Sequence, residues 1–196
     1  MAETELDLKK RRIRNDYPFH LEYRTRWSDN DMYAHLNNSV YAFLIDSIVN
    51  TYLITNCGLD PFSARSLAPS PSPSRSSTST IKSSSSPPAA PSQIGLVVSS
   101  YCDYFSSVSF PDVLDICLRV VKLGTSSVKY EVGIFRCGED RVKAVGGFTH
   151  VFVEKEGMTP VGGGGDDGVV KRGMDERIRR GLERLIVKDG LVSSKL

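Results

Sequence analysis

Trp27-Ser28-Asp29-Asn30-Asp31-Met32-Tyr33-Ala34-His35-Leu36-Asn37-Asn38-Ser39-Val40-Tyr41 is the stretch on which the reading of this chain turns. It joins two patterns of different period. Upstream, residues 19–27 alternate: Phe19, Leu21, Tyr23, Thr25 and Trp27 fall on one side, and His20, Glu22, Arg24 and Arg26 on the other. That period predicts a half-buried strand. Downstream, Asn37, Asn38 and Ser39 are all capable N-caps, and a helix is predicted from about Asn38. Its apolar residues include Val40, Tyr41, Phe43, Leu44, Ile45, Ile48, Val49, Tyr52 and Leu53. They cover more than one stripe, which predicts a helix buried on most sides. Gly58, just beyond Cys57, is the expected stop.

Residues 63–93 are of another composition. Thirteen of these 31 residues are serine and six are proline, so the segment has little to bury and is expected to be a disordered surface insertion. Four more strand patterns follow, at residues 94–105, 113–122, 126–136 and 142–154. Leu123-Gly124-Thr125 and Gly138-Glu139-Asp140 are the turns between the later ones. After a glycine-rich run at residues 162–168, Met174, Ile178, Leu182, Leu185 and Ile186 predict a short amphipathic helix. Short turns between successive strands favour antiparallel pairing. The expected class is α+β: a five-stranded antiparallel sheet wrapped around one central helix, with a short C-terminal helix. The expected organisation is an N-terminal arm (1–16), a main domain (17–160) carrying the insertion, and a linker, helix and tail (161–196).

Bulk properties exclude several classes. The net charge of +2 argues against nucleic-acid binding. The basic run Lys9-Lys10-Arg11-Arg12-Ile13-Arg14 is read as a solvated arm. Cys57, Cys102, Cys117 and Cys137 form no C-x-x-C pair and have no neighbouring histidines in sequence, so no metal site is expected and the thiols are read as reduced. No apolar run is long enough for a membrane span, and the first residues, MAETELDLKK, lack the apolar core of a secretory signal. The last three residues, Ser194-Lys195-Leu196, match the peroxisomal address, so a peroxisomal matrix location and an import receptor as partner are expected.

The chemistry is expected where strand gives way to helix. The first turn of a buried helix has unpaired N–H groups and the positive end of the helix dipole. That is a place to hold a carbonyl oxygen as it becomes an oxyanion. A carboxylate on the approaching loop, facing the same point, is sufficient for thioester hydrolysis, either by attacking the carbonyl or by deprotonating water.

Here the chain resembles the 4-hydroxybenzoyl-CoA thioesterase-like family of hotdog enzymes. The match is Asp29-Asn30-Asp31, Ala34-His35, Asn37-Asn38 and Tyr41, at the family's spacing, and it extends over about residues 17–160. Ala34 departs from the pattern, which has glycine before the histidine. The resemblance implies the hotdog fold and an acyl-CoA thioesterase that needs no cofactor beyond the coenzyme A of its substrate. It further implies Asp31 as catalytic carboxylate and the backbone N–H of Asn38 as oxyanion donor. Asp29 would brace the turn, while His35 and Asn37 would shape the loop; with Tyr41 these form the substrate-binding set. Sites of this family lie between subunits, which implies a homodimer or homotetramer.

Other roles compete at several positions. Asp29 and Asp31 also suit a turn or cap, His35 a structural hydrogen bond, and Tyr41 a core aromatic. Asp46, read as lying inside the buried helix, is the alternative catalytic acid. His150 is assigned no role. Arg119, Lys122, Lys129 and Arg136 are candidates for the coenzyme A phosphates. Two further functions stay open: a hotdog dehydratase or hydratase, and a non-catalytic acyl-CoA-binding protein.

Overall fold

A computed structural model describes residues 3–60, 91–162 and 173–187. Its elements are α1 (Glu5–Lys10), β1 (Phe19–Arg24), α2 (Asn38–Cys57), β2 (Gln93–Tyr104), β3 (Val113–Leu123), β4 (Ser127–Arg136), β5 (Val142–Glu154) and α3 (Glu176–Glu183). Five strands form one antiparallel sheet in the order β1-β3-β4-β5-β2. The sheet wraps around α2, whose Leu44, Ile45, Ile48, Val49, Tyr52 and Leu53 share one core with Ile116, Leu118, Tyr130, Val132, Ile134 and Phe152. This is the hotdog arrangement. Residues 63–90 of the expected insertion and the Ser194-Lys195-Leu196 tail lie outside the described residues. The last three residues of that insertion, 91–93, are instead ordered into the fold: Pro91 is buried, Ser92 donates to Glu154, and the buried Gln93 opens β2.

The helix starts and stops where its residues demand. Asn37 caps it, its side-chain oxygen accepting the Ser39 N–H at 3.0 Å. Gly58 ends it in the left-handed region, at φ 67°. Burial follows the helical period on one face, and burying Ile48 and Val49 completely contributes about 1.5–3 kcal/mol each. The other face, with Ala42, Phe43, Asp46 and Ile54, is exposed in the single chain. The expectation of burial on most sides is therefore corrected for the isolated protomer, and Asp46 is not inside the core.

Three other features depart from the sequence reading or go beyond it. The first strand ends at Arg24, and Trp27 sits in a 3₁₀ turn, 80% exposed and edge-to-face with Phe110. Alternation ran on through polar turn residues, which overextended the strand. Second, the strand order, which the turns did not specify, places β2 beside β5 at the far edge, and residues 105–112 cross back to β3. Third, the basic arm is not solvated throughout. Lys9 pairs with Asp103 at 2.8 Å, Arg12 with Glu131 at 3.0 Å and Arg14 with Asp115 at 3.2 Å, so the segment lies fastened across the outside of the sheet. Those acids are distant in sequence, so the charge run alone could not reveal them.

At the C-terminal side, Asp175 caps α3 through the Arg177 N–H. Met174, Ile178, Leu182 and Leu185 are buried as predicted, but Ile186 is 43% exposed. The Tyr52 hydroxyl donates to the Gly181 carbonyl at 2.7 Å. A Cβ at Gly181 would stand 2.3 Å from Cys57 Sγ, so glycine sets how closely α3 approaches α2. No helix among the described residues is long and apolar enough to cross a membrane.

Candidate active site

The loop from β1 to α2 is held rigid by its own side chains. Asp29 is buried, and its Oδ2 accepts the Tyr23 hydroxyl and the Arg26 N–H, both at 2.7 Å. Its carbonyl accepts the Asn37 N–H at 2.8 Å, which ties the start of the loop to the helix cap. Asp31 Oδ1 accepts the Tyr33 N–H at 2.8 Å and the His35 N–H at 3.1 Å. Its Oδ2 has no hydrogen-bond partner among the described residues. Ala34, the departure from the family's glycine, has φ 59°. The crossover returning from β2 closes the loop from the other side: Leu36 N–H donates to the Val108 carbonyl at 2.8 Å, and Phe110 N–H to Asn30 Oδ1 at 3.1 Å.

At the head of α2 the free donor can be identified by elimination. The Ser39 N–H is taken by Asn37 Oδ1 at 3.0 Å, and the Val40 N–H by the Asn37 carbonyl at 2.8 Å. The Asn38 N–H, at the first helical position, has no acceptor within the helix. It lies at the positive end of a 20-residue helix.

Asp31 and Asn38 line one cavity of about 320 Å³, together with His35, Leu36, Tyr41 and Tyr104. A second cavity, of about 310 Å³, shares Asn38 and Tyr104 with the first and is bounded by Ala42, Ile45, Asp46, Val97 and Phe148. The first is the more polar chamber, and the second offers mainly hydrocarbon. Asp46 is exposed and accepts Asn50 Nδ2 at 3.0 Å. Tyr41 is buried and meets Tyr104 edge-to-face, ring centres 5.0 Å apart. Burial pushes both phenols up to about 12, so both are neutral hydroxyls at ordinary pH. Neither is a base.

The structure thus gathers Asp31, His35, Asn38 and Tyr41 around one chamber. It gives Asp29 and Asn37 to the loop and cap, and Asp46 to the adjoining chamber. Tyr104 and the crossover serines, Ser106 and Ser107, were not foreseen. They come from the far side of the sheet, and nothing in their local sequence marks them. Of the expected phosphate partners, Arg119 lies 2.9 Å from the buried Glu131, and Arg136 pairs with Asp112 and Glu139. Lys129 stands over the Tyr101 ring at 5.7 Å. Instead, Lys10, Arg141 and Lys143 line a cavity that shares Phe105 and Ser106 with the Asp31 chamber.

The family model of the thioesterase superfamily matches residues 33–143. The chain belongs to the thioesterase superfamily. His35, Asn37, Asn38, Tyr41 and Asp46 lie within the matched segment, and Asp29 and Asp31 immediately before it. Among solved structures, the PA5185 protein of Pseudomonas aeruginosa is 35% identical, with a TM-score of 0.66 over 88% of this chain and 94% of that one. Slr0204, a 1,4-dihydroxy-2-naphthoyl-CoA thioesterase from Synechocystis, is 11% identical, with a TM-score of 0.59 over 84% and 94%. A Thermus thermophilus thioesterase complexed with coenzyme A and Zn is 19% identical, with a TM-score of 0.56 over 87% and 95%. The last two likenesses concern the fold alone. No curated protein matches this chain by sequence.

Proposed function

We propose that this thioesterase-superfamily member hydrolyses a fatty or aromatic acyl-CoA to the free acid and coenzyme A, in the manner of the 4-hydroxybenzoyl-CoA thioesterase-like group. The observation that carries this reading is the single chamber lined by both Asp31 and Asn38. The thioester carbonyl oxygen accepts the Asn38 N–H, which stabilises the charge that develops there. Asp31 Oδ2, the oxygen left over from loop bonding, either takes a proton from an attacking water or attacks the carbonyl carbon itself. In the first route the carbon–sulfur bond breaks as hydroxide adds, and the coenzyme A thiolate leaves and takes up the proton. In the second, the Asp31 carboxylate adds to the carbonyl carbon, the carbon–sulfur bond breaks, and the coenzyme A thiolate leaves and takes up a proton from solvent. Water then opens the resulting acyl–Asp31 anhydride to the free acid and the Asp31 carboxylate.

The apolar chamber beside the site suits the acyl chain, and Lys10 and Arg141 suit the phosphates of the nucleotide. The exposed face of α2 and the β2 edge, with Leu96, Val97 and Val98 exposed, support a homodimer or higher assembly that completes the site. Asp46 lines the acyl chamber and is the second choice of acid.

Turnover of short, medium, long and aromatic acyl-CoA substrates by the purified protein, beside Asp31→Asn and Asp46→Asn, tests the reading. Loss in Asp31→Asn with retention in Asp46→Asn supports it, and the reverse transfers the role to Asp46. Undiminished hydrolysis in both overturns it. His35 in the same chamber is what a dehydratase or hydratase would use, so 2-enoyl-CoA and 3-hydroxyacyl-CoA belong in the panel. Binding of acyl-CoA without turnover would leave an acyl-CoA-binding protein. The Ser194-Lys195-Leu196 terminus favours the peroxisomal matrix. Removal of those three residues should leave a fluorescent fusion in the cytosol.

A further inference from the structure

The outer face of the sheet carries a second group of reactive side chains. In the β1–β3 register His20 stands directly opposite Cys117, and Asp115, two residues from Cys117, points to the same face. Ile116 and Leu118, on the other face, pack in the α2 core. The group therefore lies across the sheet from the Asp31 chamber and is independent of the function proposed above. His20 Nδ1 is 3.1 Å and 3.3 Å from the two Asp115 oxygens and 3.5 Å from Cys117 Sγ. One ligand atom from each residue lies within 4.8 Å of the others. The sequence did not suggest a metal set because His20 and Cys117 are 97 residues apart.

The hydrogen bonding around the imidazole gives this geometry its meaning. His20 Nε2 is 2.9 Å from the Tyr17 carbonyl, which can only accept, so Nε2 carries a proton. In the neutral ring, Nδ1 then directs a lone pair at a carboxylate, which is also an acceptor. A cation at Nδ1 resolves the conflict, either a proton, which makes an ion pair with Asp115, or a metal ion. Cys117 Sγ, at 3.5 Å from the same nitrogen, offers the further ligand that only a metal ion uses. Tetrahedral zinc, with bonds of about 2.0–2.3 Å, sets nitrogen, oxygen and sulfur ligands about 3.3–3.6 Å apart. The 3.3 Å and 3.5 Å separations fall in that range.

We propose that His20 Nδ1, Asp115 Oδ1 and Cys117 Sγ bind a zinc ion, with solvent as fourth ligand. Both polar ligands already have the outer partners such sites use. The Tyr17 carbonyl fixes the imidazole, and Arg14 Nε holds Asp115 Oδ2 at 3.2 Å, which leaves Oδ1 for the metal. The thiol proton of Cys117 passes to solvent as the zinc–sulfur bond forms. The His20 side chain is 40% exposed, which gives the ion a way in. Bound there, zinc ties the edge strand β1 to β3.

The test is titration of the tag-free, chelator-stripped full chain with cobalt(II) and zinc. One cobalt per chain is expected, with a near-ultraviolet thiolate-to-cobalt charge-transfer band that zinc abolishes, and Tm should rise in zinc. Cys117→Ser should lose the band, and both it and His20→Ala should weaken zinc binding at least about 100-fold. Cys137→Ser should leave band and affinity intact. Because His20 is partly exposed, His20→Ala reads binding even if Cys117→Ser folds poorly. No stoichiometric binding by the unsubstituted chain, or unchanged affinity in His20→Ala, overturns the site. So does a band lost in Cys137→Ser but kept in Cys117→Ser.

Discussion

Asp31 and His35 clasp one another in both directions: the Asp31 N–H donates to the His35 carbonyl at 2.7 Å, and Asp31 Oδ1 accepts the His35 N–H at 3.1 Å. One carboxylate oxygen thus shapes the loop, and the other is left without a hydrogen-bond partner among the described residues, in a side chain that lines the chamber. An asparagine can keep the first role and not the second, because its carbonyl accepts the same amides but carries no charge. Asp31→Asn should hold stability within about 0.5 kcal/mol and lower kcat by about 100-fold or more. Asp31→Ala should lose the activity and also about 1–2 kcal/mol of stability, read by urea unfolding. Equal destabilisation by both substitutions would show that charge, not hydrogen bonding, holds the loop.

Ala34, inside the same clasp, has φ 59°, a conformation in which a Cβ is strained. Glycine relieves that strain but loses more freedom on folding. The balance predicts that Ala34→Gly stabilises the protein by about 0.5–1 kcal/mol, seen as a higher denaturant midpoint at unchanged m-value. A destabilised Ala34→Gly would mean that the alanine methyl makes a contact worth more than the strain.

The clasp also shows how far the sequence could be read. Residues 29–38 displayed their spacing openly because each acts on the backbone a few positions away: Asp29 on Arg26, Asp31 on His35, Asn37 on Ser39. Strand periods and the glycine stop of α2 were legible for the same local reason. Tyr104 and the crossover were not, because β2 pairs with β5 rather than β3, and only strand order brings Phe105, Ser106 and Ser107 to the chamber at the helix start. The outward position of Asp46 was hidden too. Phe43 gave that helix face an apolar look, although the single chain leaves it exposed.

His150, to which the sequence assigns no role, makes stability depend on pH. It is buried against Tyr130, Phe148 and Phe152, its Nδ1 has no hydrogen-bond partner among the described residues, and burial brings its pKa down from 6.5 to about 4. The unfolded chain therefore binds a proton that the folded chain refuses between those values. Stability is intact above pH 6.5 and falls as pH drops towards 4, by up to about 3 kcal/mol. His150→Phe should remove that acid slope in urea unfolding followed from pH 7 to 4.5. If the slope persists in the variant, other groups cause it.

Lys10 and Arg141 flank the chamber without entering it. If they meet the nucleotide phosphates, their removal weakens binding of substrate and transition state alike. Lys10→Ala combined with Arg141→Ala should raise KM for acyl-CoA about three- to tenfold and leave kcat within about twofold. Acyl-pantetheine substrates, which lack those phosphates, should show no change in KM. A KM rise for both substrate types would place the effect at the chamber rather than at the nucleotide.

β2 is 12 residues long, lies at the sheet margin, and exposes Leu96, Val97 and Val98 at 38%, 52% and 60%. Long apolar edges invite another strand unless a charge blocks them. A second copy pairing there would also bring its residues beside the open face of α2 and the acyl chamber, where Val97 already stands. Val98 lies at the register shift between Val97 and Ser99 and is not among the residues lining either chamber. A lysine at 98 therefore attacks the pairing and not the pocket. Val98→Lys should shift the protein from dimer to monomer in light scattering and lower kcat/KM with it. A Val98→Lys protein that stays dimeric and fully active would place the subunit interface on another surface.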